Sequence, residues 1–166
     1  MPLALPPPPG QSPASAAASL SQAEKLCTLC AGVFFLTALL TGVWKWRGMA
    51  TSKSGAAHKY VDTAHRASLL YSFAALLLGR FASLNNLSPG INTTAVAAPL
   101  LFFALAIGSY VLHGVLGDTT NQIAKPRLGR QPLPVWVTPL FMAALVVAEI
   151  VGFCVLLYGF VEAAYF

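Results

Sequence analysis

In the stretch HKYVDTAHRASLLY, His58, Asp62 and His65 stand at i, i+4 and i+7. On a helix that spacing puts all three side chains on one face. Two imidazoles and a carboxylate can carry protons, hold a divalent metal, or offer an axial ligand to haem iron. The third histidine, His113, closes a later apolar run, and Glu149 is the lone carboxylate inside another. A carboxylate in hydrocarbon is costly unless protonated, paired or hydrated, so Glu149 is a functional candidate by its location.

The elements that must position these groups are membrane helices. The chain is 57% hydrophobic and only 9% charged, against about 25% charged in ordinary soluble domains. Its mean hydropathy is +0.69. The net charge of +5 falls between apolar runs and makes no basic helix face, which argues against nucleic-acid binding. Cys27, Cys30 and Cys154 do not make a disulfide framework, and CTLC opens an apolar helix, where small packing residues are expected rather than a redox pair.

The sequence predicts an all-α fold: a four-helix antiparallel transmembrane bundle behind a disordered tail. Residues 1–24, rich in proline, alanine and serine, are the tail. Residues 25–166 form the membrane domain, with spans at about 26–44, 60–84, 94–116 and 136–160. The second span is the least apolar, since Arg66 and Arg80 lie inside its ends and must reach the interface with long stems. Pro99 is expected in the first turn or two of the third span, where a missing amide costs little. Asp118 and TTNQ read as a solvated cap, and KPRLGRQPLP as an irregular loop.

Cations fix the expected orientation. Lys45, Arg47, Lys53 and Lys59 follow the first span, and Lys125, Arg127 and Arg130 the third, while the other side has Lys25 and Arg80. The positive-inside rule then puts both termini on the non-cytoplasmic side. Two glycosylation-type triplets, at Asn86 and Asn92, fall in the outer loop close to the bilayer, where occupancy is not expected.

Antiparallel spans bring His113 near the level of His65, and three readings fit. In the plainest, His58 and Asp62 are hydrated while His65 and His113 bond backbone or serine groups between helices. In the second, His65 and His113 are the cofactor-binding residues, axial ligands of haem b between apolar walls. In the third, His58, Asp62, His65 and Asp118 hold a divalent metal, though no HExxH or paired CxxC spacing supports it and no metal site is assigned. By depth along neighbouring helices, Tyr71 and Glu149 can meet as a catalytic acid pair. Equally, Glu149 can be a neutral acid that packs one helix on another.

The segment AHRASLLY, with four spans and a basic first loop, resembles the small membrane isomerases of the styrene oxide isomerase and hydroxylaminobenzene mutase type. His65 matches that family's histidine, and Tyr71 stands where the family carries an asparagine. The resemblance implies a haem or small aromatic ligand between helices of an oligomer. The function expected is an integral membrane protein with an intrabundle pocket for haem or a small hydrophobic ligand, and whether it is an isomerase-like enzyme is left open. The alternative is a non-catalytic subunit or assembly factor of a membrane complex. Partners in either case are the lipid bilayer and either further copies of this chain or other membrane subunits.

Overall fold

The computed structural model describes residues 13–166. Helix α1 covers Pro13–Ser19, α2 Gln22–Thr51, α3 Lys59–Ser83, α4 Pro89–Leu116 and α5 Val137–Tyr165; strands β1 (Arg127–Leu128) and β2 (Gln131–Pro132) form a small antiparallel hairpin between α4 and α5. Three of these helices, α2, α4 and α5, are long and apolar enough to cross a membrane. The less apolar α3 keeps the length, with Asp62 in its first turn and Arg80 in its last.

The four long helices run up and down in turn. Cys27 near the start of α2 meets Gly79 near the end of α3, while Lys45 near the end of α2 pairs with Asp62 at the start of α3. Tyr60 contacts His113, and Tyr71 stacks on Phe103, which sets α4 against α3. Gly152 of α5 meets Ala95 and Pro99 of α4, and Phe81 of α3 meets Phe153 and Phe160 of α5.

Packing of α2 on α3 follows from small side chains. Ala64, Ser68, Ser72, Ala75, Gly79 and Ala82 are buried along α3, and Ala23, Cys27, Ala31 and Ala38 along α2. Such stripes let helix backbones approach where lipid offers no hydrophobic drive to associate. Helix α5 is peripheral: it buries Leu145, Gly152, Leu156 and Gly159 and exposes large apolar residues elsewhere.

Several boundaries differ from the sequence reading. Residues 1–12 of the expected tail lie outside the described residues, but 13–19 are helical and α2 begins at Gln22. Ser21 caps α2 in a capping box: its hydroxyl accepts from the Glu24 amide, and the Glu24 carboxylate accepts from the Ser21 amide at 3.0 Å. Ser-x-x-Glu ahead of an apolar run is the signal for this start. Pro99 is not in a first turn, because α4 begins at Pro89 with Ser88 as its cap. An interior proline frees the carbonyl four residues earlier, here Ala95. A Cβ on Gly152 would stand 2.7 Å from that oxygen, so α5 covers the gap with a glycine. The expected irregular loop is organised as the hairpin, turning at Gly129 with φ of 60°.

Candidate functional site

The basic end of the bundle is assembled from residues of α3, α4 and the α4–α5 connection. Helix α4 stops at Gly117, whose φ of 57° is left-handed and whose amide donates to the His113 carbonyl at 2.9 Å. Glycine tolerates that conformation without a Cβ clash. The turn swings the next residue, Asp118, back over the last turn of α4. Its Oδ1 lies 2.8 Å from His113 Nδ1, and its Oδ2 accepts from the Gly129 amide at 2.6 Å. A carboxylate only accepts, so Nδ1 carries the proton.

The pair is nearly closed to solvent, with side-chain exposures of 7% for His113 and 5% for Asp118. Burial pushes the Asp118 carboxyl up, but the His113 and Gly129 hydrogen bonds outweigh it and hold the group below the usual carboxylate range. Asp118 is therefore a latch between α4 and the hairpin, and the expectation of a solvated cap is corrected. Tyr60 closes the other side. Its ring lies 5.3 Å from that of His113, and its hydroxyl accepts from the Gln122 amide at 2.6 Å.

A crevice of about 270 Å³ runs beside this latch between α4, α5 and the hairpin. Leu105, Leu112, Phe141 and Met142 supply apolar walls, and Ser109, His113, Gln122 and Arg127 the polar points. Ser109 and Gln122 bond each other weakly, at 3.4–3.5 Å. Leu105 and Leu112 are about half exposed, so the crevice opens sideways. Its volume is near the small end of ligand pockets, about 300–1,000 Å³.

Of the candidate site residues named from the sequence, His113 alone lines this crevice. The ring of His65 points to α2, where Nδ1 donates to the Ala38 carbonyl at 2.8 Å. Gly42 makes the approach possible, since a Cβ there would be 3.0 Å from the His65 ring. The two imidazoles thus serve different contacts. Beside His113, α4 packs closely on α2 and α3: a Cβ on Gly114 would meet Trp44 at 3.0 Å and Val61 at 3.1 Å. With His65 bonded to α2 and His113 to Asp118, each ring is engaged with a protein partner, and the structure offers no observation in support of the haem b expectation.

The metal set is dispersed as well. His58 caps α3 through Nδ1, Asp62 pairs with Lys45 at 2.6 Å and Arg66 at 3.6 Å, and Asp118 is latched to His113. Among the described residues no three His, Cys, Asp or Glu side chains gather around one point.

Deeper in the bundle, Tyr71 is stacked on Phe103 with ring centroids 4.2 Å apart. Glu149 lies close enough to bear electrostatically on both Tyr71 and Tyr110, yet among the described residues its buried Oε1 has no hydrogen-bond partner. The two are neighbours without a bond between them. Sequence reasoning does not place Ser109, Gln122 or Arg127 in a site: Arg127 reads only as an orienting cation and Gln122 as part of a solvated cap. Its one available signal was an aspartate five residues after His113, just past a helix-ending glycine.

No family model, curated protein or solved structure matches the chain. Geometry and chemistry are what speak to function.

Proposed function

We propose that the chain is a four-span integral membrane protein that holds a small hydrophobic molecule in the crevice between α4, α5 and the hairpin. The observation that carries this reading is that His113, held by Asp118, stands with Ser109, Gln122 and Arg127 in a largely apolar, laterally open wall. A few fixed polar groups in an apolar concavity are what orient a ligand.

Helix α3 is the fourth span in this reading. At about 1.5 Å per residue its length suffices for a hydrocarbon core of about 30 Å, and no charged residue lies between Arg66 and Arg80. It packs against α2, α4 and α5, and Asp62 is neutralised by Lys45 and Arg66. The cations gathered beside the hairpin and at the α2–α3 turn favour the cytoplasmic side for that end, with both termini opposite.

Binding is as far as the geometry supports the role. His65 is sealed onto α2 and Tyr71 onto Phe103, so the residues that the isomerase resemblance would make catalytic share no cleft with His113. The test is extraction of protein purified in native-lipid nanodiscs, followed by mass spectrometry of the released small molecules. A species retained near one per chain and lost in Ser109→Phe, which fills the crevice, is expected. Equal retention in Ser109→Phe and wild type would remove the crevice as the site.

A further inference from the structure

We infer that the ligand of this crevice is an anionic amphiphile, its head held by Lys125 and Arg127 and its tail lying between α4 and α5. This rests on the crevice being the binding site. A second, polar cavity of about 290 Å³ adjoins the hairpin, lined by Gly117, Asp118, Thr119, Thr120, Lys125 and Arg127. Arg127 borders both this cavity and the apolar crevice. One side chain thus stands where a polar head would join an apolar tail.

The charges in the polar cavity favour an anion. Among the described residues the ion pairs are Lys45–Asp62, Arg66–Asp62 and His113–Asp118, which leaves Lys125 and Arg127 without a carboxylate. Asp118 lines the cavity too, but its oxygens are turned to His113 and Gly129 and its side chain is 5% exposed. Its charge is compensated from within. The rest of the lining supplies two cations and the hydroxyls of Thr119 and Thr120, and an arginine fork suits phosphate or carboxylate oxygens.

The apolar half fits the same molecule. Leu105, Leu112 and Met142 line the crevice while exposed at its open side, so a tail can enter from the bilayer without crossing water. A tail already in lipid gains little by moving between helices. Selectivity must then come from the head, where each juxtamembrane cation is worth roughly fivefold in affinity.

The experiment uses the full chain in phosphatidylcholine nanodiscs, with phosphatidylglycerol added in one arm and oleate in the other. Bound lipid is counted by native mass spectrometry. Wild type is expected to retain one of these anions over phosphatidylcholine by on the order of 20-fold, and added salt to reduce the preference. The arm that responds tells whether the head is a phosphodiester or a free carboxylate. The double variant Lys125→Gln, Arg127→Gln changes exposed side chains and is expected to erase the preference while phosphatidylcholine is still retained. Equal retention of neutral and anionic lipid by wild type, or an unchanged preference in the double variant, would overturn the anionic head yet leave a neutral ligand in the crevice. Loss of the crevice itself would show separately, as Ser109→Phe binding every lipid as wild type does.

Discussion

Removing the Asp118 carboxylate should release the hairpin from α4. Asp118→Ala deletes two acceptors at once and leaves the His113 Nδ1–H and the Gly129 N–H facing a void. Hydrogen bonds to a charged group contribute about 1.5–3 kcal/mol each, and breaking one side of a buried pair costs about 3–5 kcal/mol. A local loss of about 3–5 kcal/mol follows, confined to residues 117–136 because the helices below have their own contacts. Asp118→Asn keeps one acceptor and should lose about half as much. Hydrogen–deuterium exchange of hairpin peptides in nanodiscs reads the opening directly: about 3 kcal/mol corresponds to exchange on the order of 100-fold faster. The same latch sets a pH dependence. Because the native carboxyl is held below its ordinary value, near 3.9, its stabilisation is complete above that pH and is lost as pH falls through the lower native value. Hairpin protection should be flat from neutral pH to about 5, fall in acid, and lose this acid response in Asp118→Asn. Exchange in Asp118→Ala within a few-fold of wild type would show that the hairpin is held by something else.

Two further outcomes test the bundle. Gly152→Ala places a Cβ 2.7 Å from the Ala95 carbonyl oxygen and from Pro99 Cγ, an overpacking cost of about 1–3 kcal/mol that exceeds the helix-propensity gain of about 1 kcal/mol. Its thermal midpoint in detergent should fall, whereas that of Gly108→Ala, where a Cβ meets nothing within 4 Å, should hold or rise. Glu149, whose buried oxygen lacks a partner among the described residues, lies inside an apolar helix and should react with the lipid-soluble dicyclohexylcarbodiimide. Peptide mapping should show the adduct at Glu149 and none in Glu149→Gln; an unmodified Glu149 would mean that the group is ionised or shielded from the reagent.

The long helices were legible because apolar runs bounded by charge are a one-dimensional signal. The runs ending at Trp44 and Leu116 lie within α2 and α4, the run ending at Phe160 lies within α5 but for Trp136, and the polar-ended stretch around residues 60–84 is within a residue of α3. The small-residue stripe through Ser68, Ser72, Ala75 and Gly79 was also visible, since helical spacing alone puts those residues on one face. Helix rotation was not. His65 and His113 do lie toward the same end of antiparallel helices, but their directions depend on Gly42 and on the turn at Gly117. Asp118 looked solvated because a carboxylate after a helix stop normally is; only the left-handed turn and the hairpin's return make it buried.

The polar residues at the start of α3 have a role other than the chemistry their spacing suggests. His58 caps the helix, Asp62 joins α2 to α3 through Lys45, His65 reaches an α2 carbonyl, and Tyr60 holds the connection at Gln122. Each is committed to a neighbour, so the cluster joins helices at the basic end. On the other side of α4 lie Ser109 and Gln122, bonded only weakly to each other through their side chains, and Lys125 and Arg127, which have no carboxylate partner among the described residues. They sit on the α4–α5 flank because α5 packs through few buried positions and its long connection folds back as a hairpin, leaving a gap there. A ligand site in this bundle follows from where a gap between helices coincides with polar side chains, not from where histidines are most dense.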